Sequence, residues 1–345
     1  MRRIKVAQIG TSKNSHGNQI IRSLKKQSDI FEVAGVAFPE NEKEKFPEQM
    51  TDFAGLREMT VEEILGSSEI EAVVIETEEV YLTKYALLAA QAGKHIHMEK
   101  PGGINLADFE KLIDTVKKNQ VVFHTGYMYR YNPFVQELMG KIKNGELGEI
   151  ISVEAQMNCD HTAQTRQWFE NFPGGIMFFL GCHLVDLILQ IKGVPDRIIP
   201  FNKSTGVGID SAEDFGMAVF EYKNGCSFVK VNAAEKGGFA RRQLVVSGTK
   251  GTVELKPFEM FADGGQFTTK TVYTSADWGN CGETVNSAVY DRYDGMMRSF
   301  AKAVCKDEEN PYTYDYELQL YKTLLSAAGH EPVTPANQNL HNTLP

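Results

Sequence analysis

The tripeptide Glu99-Lys100-Pro101, followed by Gly102-Gly103, comes directly after the run His95-Ile96-His97-Met98. A lysine held at the end of a strand sets a fixed positive charge where a hydroxyl oxygen would develop negative charge on losing its proton. Gly10 ends an earlier apolar run and precedes a helical pattern, the position at which a helix N-terminus receives a phosphate group. The segment Gly10-Thr11-Ser12-Lys13-Asn14-Ser15-His16-Gly17 does not spell G-x-G-x-x-G. Either the loop is longer or Ser12 and Ser15 stand where glycines are usual, and a plain strand-to-helix turn is the competing reading. An acid expected after the second strand is also displaced: Val36-Ala37 is followed by Phe38-Pro39-Glu40, leaving Glu40 as the candidate for ribose hydroxyls. His95 and His97 alternate on one strand face, but neither a nearby cysteine nor a matching carboxylate set completes a metal site.

A second group of polar residues lies further along. Asp160-His161-Thr162-Ala163-Gln164-Thr165-Arg166-Gln167-Trp168 supplies groups that hydrogen-bond hydroxyls in fixed directions and an indole for the apolar face of a sugar ring. Arg130 and Tyr131 are candidates for the same pocket, and an ordinary solvated loop is the alternative. His183 sits in an apolar helical stretch, where it is either a satisfied core histidine or a group titrating near neutrality and suited to proton transfer. Lys236, Arg241 and Arg242 form a modest basic cluster, expected on a solvated surface or at an oligomer contact.

These residues need a scaffold, and the hydrophobic periodicity supplies one. Over the first 125 residues short β-branched runs (Lys5–Ile9, Glu32–Ala37, Ala72–Ile75, His95–Met98, Val121–Thr125) alternate with helical patterns at Asn18–Lys26, Val61–Leu65, Thr83–Ala92 and Leu106–Lys118. That rhythm predicts a doubly wound parallel sheet. From Gly126 it changes. A helix over Phe134–Lys143 leads into strands at Ile150–Met157, Ala218–Tyr222, Ser227–Asn232, Gln243–Gly248 and Thr252–Leu255, with hairpin turns at Lys223-Asn224-Gly225 and Thr249-Lys250-Gly251. Helices at Gly181–Ile191 and Tyr293–Val304 complete an α+β domain with a large, mainly antiparallel open sheet. The expected division is 1–125 and 126–345, in keeping with a length of 345 residues.

The tags occur in a specific order. Gly10, Ala92-Gly93-Lys94-His95 before Glu99-Lys100-Pro101, Gly126-Tyr127-Met128-Tyr129-Arg130-Tyr131-Asn132-Pro133, Gly145-Glu146-Leu147-Gly148, the block Gly174-Gly175 through Gly181-Cys182-His183 and Asp186, and Ser247-Gly248-Thr249-Lys250-Gly251 together resemble the Gfo/Idh/MocA family of sugar and inositol oxidoreductases. The resemblance implies an NAD(P)-binding Rossmann domain followed by a substrate and oligomerisation domain. It places NAD, with NADP left open, on Gly10, Thr11, Ser12, Gly17, Thr77, Glu99 and Lys100. It gives Lys100 contact with substrate and nicotinamide, and it gives His183 the acid/base role. Arg130, Tyr131, Asp160, Arg166, Trp168 and His183 are the implied substrate contacts.

Two positions depart from the family pattern. Phe38 replaces the ribose acid, and Phe179 stands where many family dehydrogenases carry an aspartate four residues before the histidine. Asp186 is expected to support structure rather than replace it. The implied activity is hydride transfer between nicotinamide and a sugar, polyol or inositol-like substrate. An NAD-dependent glycoside hydrolase using transient oxidation, or a non-catalytic dinucleotide- and sugar-binding regulator, is the alternative.

Composition narrows the partners. A formal charge of −9 has the wrong sign for a nucleic-acid binder. No stretch is long and apolar enough to span a bilayer. Five widely spaced cysteines with no C-x-x-C pair suit reduced thiols in a cytoplasmic setting. A homodimer or homotetramer through the second domain's sheet is expected.

Overall fold

The computed structural model describes residues 2–279 and 281–330; residues 331–345 of the expected second domain lie outside that range. The described residues divide into two compact units, 2–128 with Tyr293–Gln319, and Tyr129–Arg292 with 320–330.

The first unit is built on a five-stranded parallel sheet of order β2-β1-β3-β4-β5, formed by β1 (Ile4–Ile9), β2 (Phe31–Ala37), β3 (Ala72–Ile75), β4 (His95–Met98) and β5 (Phe123–Thr125). All of β3 is buried, as expected of a parallel strand covered on both faces. The accompanying helices are α1 (Gly17–Lys26), α2 (Glu42–Lys45), α3 (Val61–Gly66), α4 (Leu82–Gln91) and α5 (Leu106–Asn119). In α1, Ile20, Ile21 and Leu24 recur on one face and are buried. Thr60 and Glu63 form a reciprocal capping box at the start of α3. Gly93 takes the left-handed conformation just past α4, at φ 71°.

The second unit holds α6 (Pro133–Lys143), α7 (Ala163–Trp168) and α8 (Cys182–Lys192). Its strands are β6 (Ile150–Gln156), β7 (Arg197–Lys203), β8 (Phe215–Tyr222), β9 (Gly225–Asn232), β10 (Gln243–Gly248), β11 (Gly251–Leu255), β12 (Met260–Ala262), β13 (Gly265–Phe267), β14 (Thr269–Tyr273) and β15 (Glu283–Asn286). Eight of them form a sheet of order β15-β14-β11-β10-β6-β9-β8-β7, antiparallel throughout except for the β6–β9 pair. Alternate residues such as Val153, Ala155, Ala218, Phe220, Val229 and Val231 are buried. The α8 helix, nearly all of it buried, packs on β6 and β9. A π-helical turn over Met177–Gly181 leads straight into α8.

One difference from the sequence expectation concerns residues 293–319. Helix α9 (Asp294–Cys305), expected from its chain position in the second domain, packs in the first unit. Its Phe300 ring lies 5.8 Å from that of His97 and 5.6 Å from that of His124, and Ser23 Oγ donates to Asp294 Oδ1 at 2.7 Å. The start of α10 (Tyr314–Ala327) belongs there too: Tyr314 donates its hydroxyl to Val121 O at 2.6 Å, and Thr125 Oγ1 donates to the buried Glu317 at 2.8 Å. Among the described residues no helix is long and apolar enough to cross a membrane.

Candidate cofactor and active-site residues

In the first unit, the expected cofactor residues gather at the carboxyl ends of β1, β3 and β4. Gly10 has φ 89°, and a Cβ there would lie 2.4 Å from Thr77 Cγ2 and 2.7 Å from the Thr77 backbone. Only glycine permits that approach. Gln8, fully buried in β1, donates from Nε2 to Gly10 O at 3.0 Å and Gly17 O at 3.2 Å, clamping the loop across its mouth. Ser12 and Ser15 tighten it reciprocally: the Ser15 amide donates to Ser12 Oγ at 2.9 Å and the Ser12 amide to Ser15 Oγ at 3.0 Å. The loop closes through serine hydroxyls, and its first helical turn carries no acidic residue.

The acid beside this loop is Glu42, not Glu40. Glu40 and Asn41 both take positive φ, 58°, and turn the chain sharply after Phe38-Pro39. Glu40 thereby reaches Lys84 Nζ at 2.5 Å and Tyr85 OH at 2.7 Å on α4. Phe38 packs edge-on against Phe53, with centroids 5.1 Å apart. Glu42 is fully buried, accepts the Thr11 amide at 3.2 Å, and keeps Oε1 without a hydrogen-bond partner. Burial pushes its carboxyl up to about 9. An orphaned buried carboxyl oxygen beside a glycine-centred loop fits the ribose and pyrophosphate of a dinucleotide.

Glu99 and Lys100 follow β4 and are both enclosed. Lys100 Nζ lies 3.8 Å from Glu99 Oε1, and His16 Nδ1 lies 3.2 Å from Glu99 Oε2. Burial would raise the Glu99 pKa, but His16 and Lys100 hold it below the ordinary carboxylate range. Gly126 makes room: a Cβ there would stand 2.9 Å from Glu99 Oε2. His97 pairs with His124, Nδ1 to Nδ1 at 2.8 Å, while burial lowers it to about 4. His95 Nδ1 instead accepts the Val122 amide at 2.9 Å. Among the described residues no three His, Cys, Asp or Glu side chains converge as a metal set.

In the second unit, His183 lies in the first turn of α8, just after the π-helical turn, and is 1% exposed. The Tyr129 ring meets it edge-on, centroids 5.0 Å apart. Tyr129 OH donates to Glu259 at 3.1 Å and accepts from Arg242 Nη1 at 3.1 Å; Glu259 also pairs with Arg292. Burial, then Glu259, pushes the Tyr129 pKa up to about 12. Arg242 is therefore a buried strut, not the surface cation expected from its neighbours Lys236 and Arg241. Tyr129 was visible within its tag, but nothing local marks Glu259 or Arg292 as its partners.

The remaining substrate candidates disperse. Arg130 is buried and grips Asp186 with both arms, Nε to Oδ2 at 2.9 Å and Nη2 to Oδ1 at 2.8 Å; Tyr131 beside it is half-buried. Arg166 is buried too, binding Asp214 at 2.8 Å and Val207 O at 2.6 Å. Asp160 is exposed and pairs with Lys236 at 2.6 Å. Trp168 stands edge-on to Phe172 and Phe179, at 4.8 and 5.2 Å. Phe179 is thus enclosed by Trp168, Phe169 and Phe172, so an aromatic cluster occupies the place of an acid.

Both units have counterparts among known proteins. Residues 4–127 match the model of the oxidoreductase family with an NAD-binding Rossmann fold, and residues 135–254 match that of the GFO/IDH/MocA C-terminal domain. The chain belongs to the Gfo/Idh/MocA oxidoreductase family. It is 26% identical over 200 residues to trans-1,2-dihydrobenzene-1,2-diol dehydrogenase of Bos taurus, covering 56% of this chain and 57% of that protein. It is 23% identical to myo-inositol 2-dehydrogenase of Thermotoga maritima, covering 71% of this chain and 73% of that protein. In fold it is similar to a levoglucosan dehydrogenase solved with NADH and levoglucosan, with TM-score 0.78, 17% identity, and coverage of 95% and 97% of the two chains.

Proposed function

We propose that this family member is an NAD-dependent dehydrogenase that moves a hydride between the nicotinamide and a carbinol carbon of a sugar, polyol or inositol-like substrate. The observation that carries the reading is the enclosed Glu99–Lys100 pair at the end of β4, in the same row of strand ends as the Gly10 cradle. When bound, the dinucleotide supplies hydride acceptance and donation. Gly10, Thr11, Ser12, Gly17 and Thr77 shape its phosphate cradle, and Glu42 takes the ribose. Lys100 presents its ammonium to the hydroxyl oxygen and stabilises developing negative charge. His183 takes the hydroxyl proton, with Tyr129 fixing its ring by edge contact. The diol and inositol specificities of the named relatives support the substrate class.

Titration with NADH, followed by fluorescence, and a panel of polyols and sugars scored for NAD reduction test this reading. Lys100→Met is expected to bind NADH and abolish turnover. No binding of either nucleotide at millimolar concentration refutes it.

A homo-oligomer through the large sheet, in a cytoplasmic setting, belongs to the same reading. On the face of β7, β8 and β9 opposite α8, Ile199, Phe201, Met217, Val219 and Phe228 share one side by register. Phe201 is 48% exposed, and such an apolar stripe suits a second copy. Native mass spectrometry reads the outcome, and a monomer at micromolar concentration refutes it.

A further inference from the structure

Three carboxyl groups are enclosed at the ends of β3 and β4: Glu76 immediately after β3, Glu79 in the turn beyond it, and Glu99 after β4. Neither carboxyl oxygen of Glu76 has a hydrogen-bond partner, and Glu79 meets only its own backbone N–H. His97 Nε2 stands 3.8 Å from Glu76 Oε1, beyond hydrogen-bond length. Lys100 faces all three acids. Glu79 is faced by Lys100 and Glu99 from the end of β4, by Glu76 from β3, and by Glu78, whose own partner is Lys45 of α2 at 2.8 Å. Buried acids without donors are costly, and folded chains keep them neutral or give them a positive partner.

The topology says which partner. Ligands of a sheet of this order lie beyond the carboxyl ends of the strands, where β1 and β3 diverge in connection. With Glu42 on the β2 side and the phosphate cradle at β1, the far end of a dinucleotide extends over β3 and β4, where Glu79 lies. Oxidised nicotinamide carries one positive charge, and hydride addition cancels it. We propose that Glu79, backed by Glu76, reads that charge: it gives up its proton to solvent when the cationic ring is bound and takes one back when hydride neutralises the ring, so the pocket favours oxidised over reduced cofactor.

The balance is explicit: bound NAD⁺ with ionised Glu79, plus the hydride from the substrate, gives bound NADH with Glu79 returned to its nucleotide-free protonation, which takes up about half a solvent proton at pH 7 and close to one at lower pH. The inference rests on the cofactor reading above. Burial holds the Glu79 carboxyl up at about 7, against the pull of Lys100. Linkage then makes the NAD⁺ affinity rise by about tenfold from pH 6 to pH 8 while the NADH affinity stays level.

The test is calorimetric titration of the whole 345-residue chain with NAD⁺ and with NADH, at pH 6, 7 and 8, in two buffers of different ionisation enthalpy. Expected at pH 7 is release of about half a proton with NAD⁺ and none with NADH. Glu79→Gln is expected to remove the pH dependence and the proton release while leaving the NADH affinity unchanged, which also certifies its fold. Equal proton release with both nucleotides, or a tenfold pH effect that persists in Glu79→Gln, overturns the proposal. If neither nucleotide binds, the cofactor reading falls and this proposal with it, a result distinct from binding without proton release.

Discussion

Replacing Glu79 by Gln isolates the cost of an enclosed carboxyl in the nucleotide-free protein. Burial, opposed by Lys100, raises the Glu79 pKa from an ordinary 4.5 to about 7. In the unfolded chain the carboxyl ionises above pH 4.5, whereas in the fold it ionises only above about pH 7, so the folded state binds its proton more tightly. Stability from this group is therefore full below pH 4.5, falls as pH rises, and reaches its lowest level above pH 7. The interval corresponds to about 3 kcal/mol, of which less than about 1 kcal/mol has developed at pH 5. Glutamine has nearly the same shape and no such slope. The melting temperature of Glu79→Gln minus that of the wild type should thus grow between pH 5 and pH 8 by roughly 5–10 °C, at roughly 2–4 °C per kcal/mol for a unit of this size. Calorimetric melts without nucleotide measure it. A difference that is constant across that range, or that shrinks as pH rises, refutes the assignment of a raised carboxyl to Glu79.

Three further outcomes follow from the same geometry. Gly10→Ala forces a Cβ to within 2.4 Å of Thr77 at φ 89°, which costs about 2–5 kcal/mol from backbone strain and overpacking together; NADH fluorescence titration should show at least tenfold weaker binding, and unchanged affinity contradicts the cradle. Glu42→Ala removes one or two hydrogen bonds to ribose, so NAD affinity should fall by about tenfold while NADP binding does not weaken; a Kd ratio for the two nucleotides equal to wild type rules Glu42 out. Phe179→Asp, which restores the family's usual acid, places a carboxylate among Trp168, Phe169 and Phe172. Losing the ring alone costs about 3–5 kcal/mol, so a drop in melting temperature of at least about 6 °C is expected, and a stable, more active variant shows that the cluster does not explain the residue.

Local signals reached a definite depth. The strands at 72–75 and 95–98 were legible to the residue because short β-branched or apolar runs bounded by polar turns need no distant information. The placement of Gly10 and Lys100 just beyond strand ends was legible for the same reason, since each closes a short apolar run in a parallel alternation. Order and spacing of the short tags then named the family, since each tag records a local turn or strand end.

What escaped was every decision made between distant segments. Two left-handed residues at 40 and 41 redirect the chain so that Glu42 rather than Glu40 meets the Thr11 amide. Arg130 looked free for a hydroxyl until α8 placed Asp186 against both its arms. Arg242 reads as one of a run of surface cations but lies buried against Tyr129. Helix α9 joins the first unit although nearly the whole second unit intervenes in sequence. Residue type and periodicity determine what each segment can offer; which partner it meets depends on contacts whose chain separation leaves no local trace, and only the folded packing decides them.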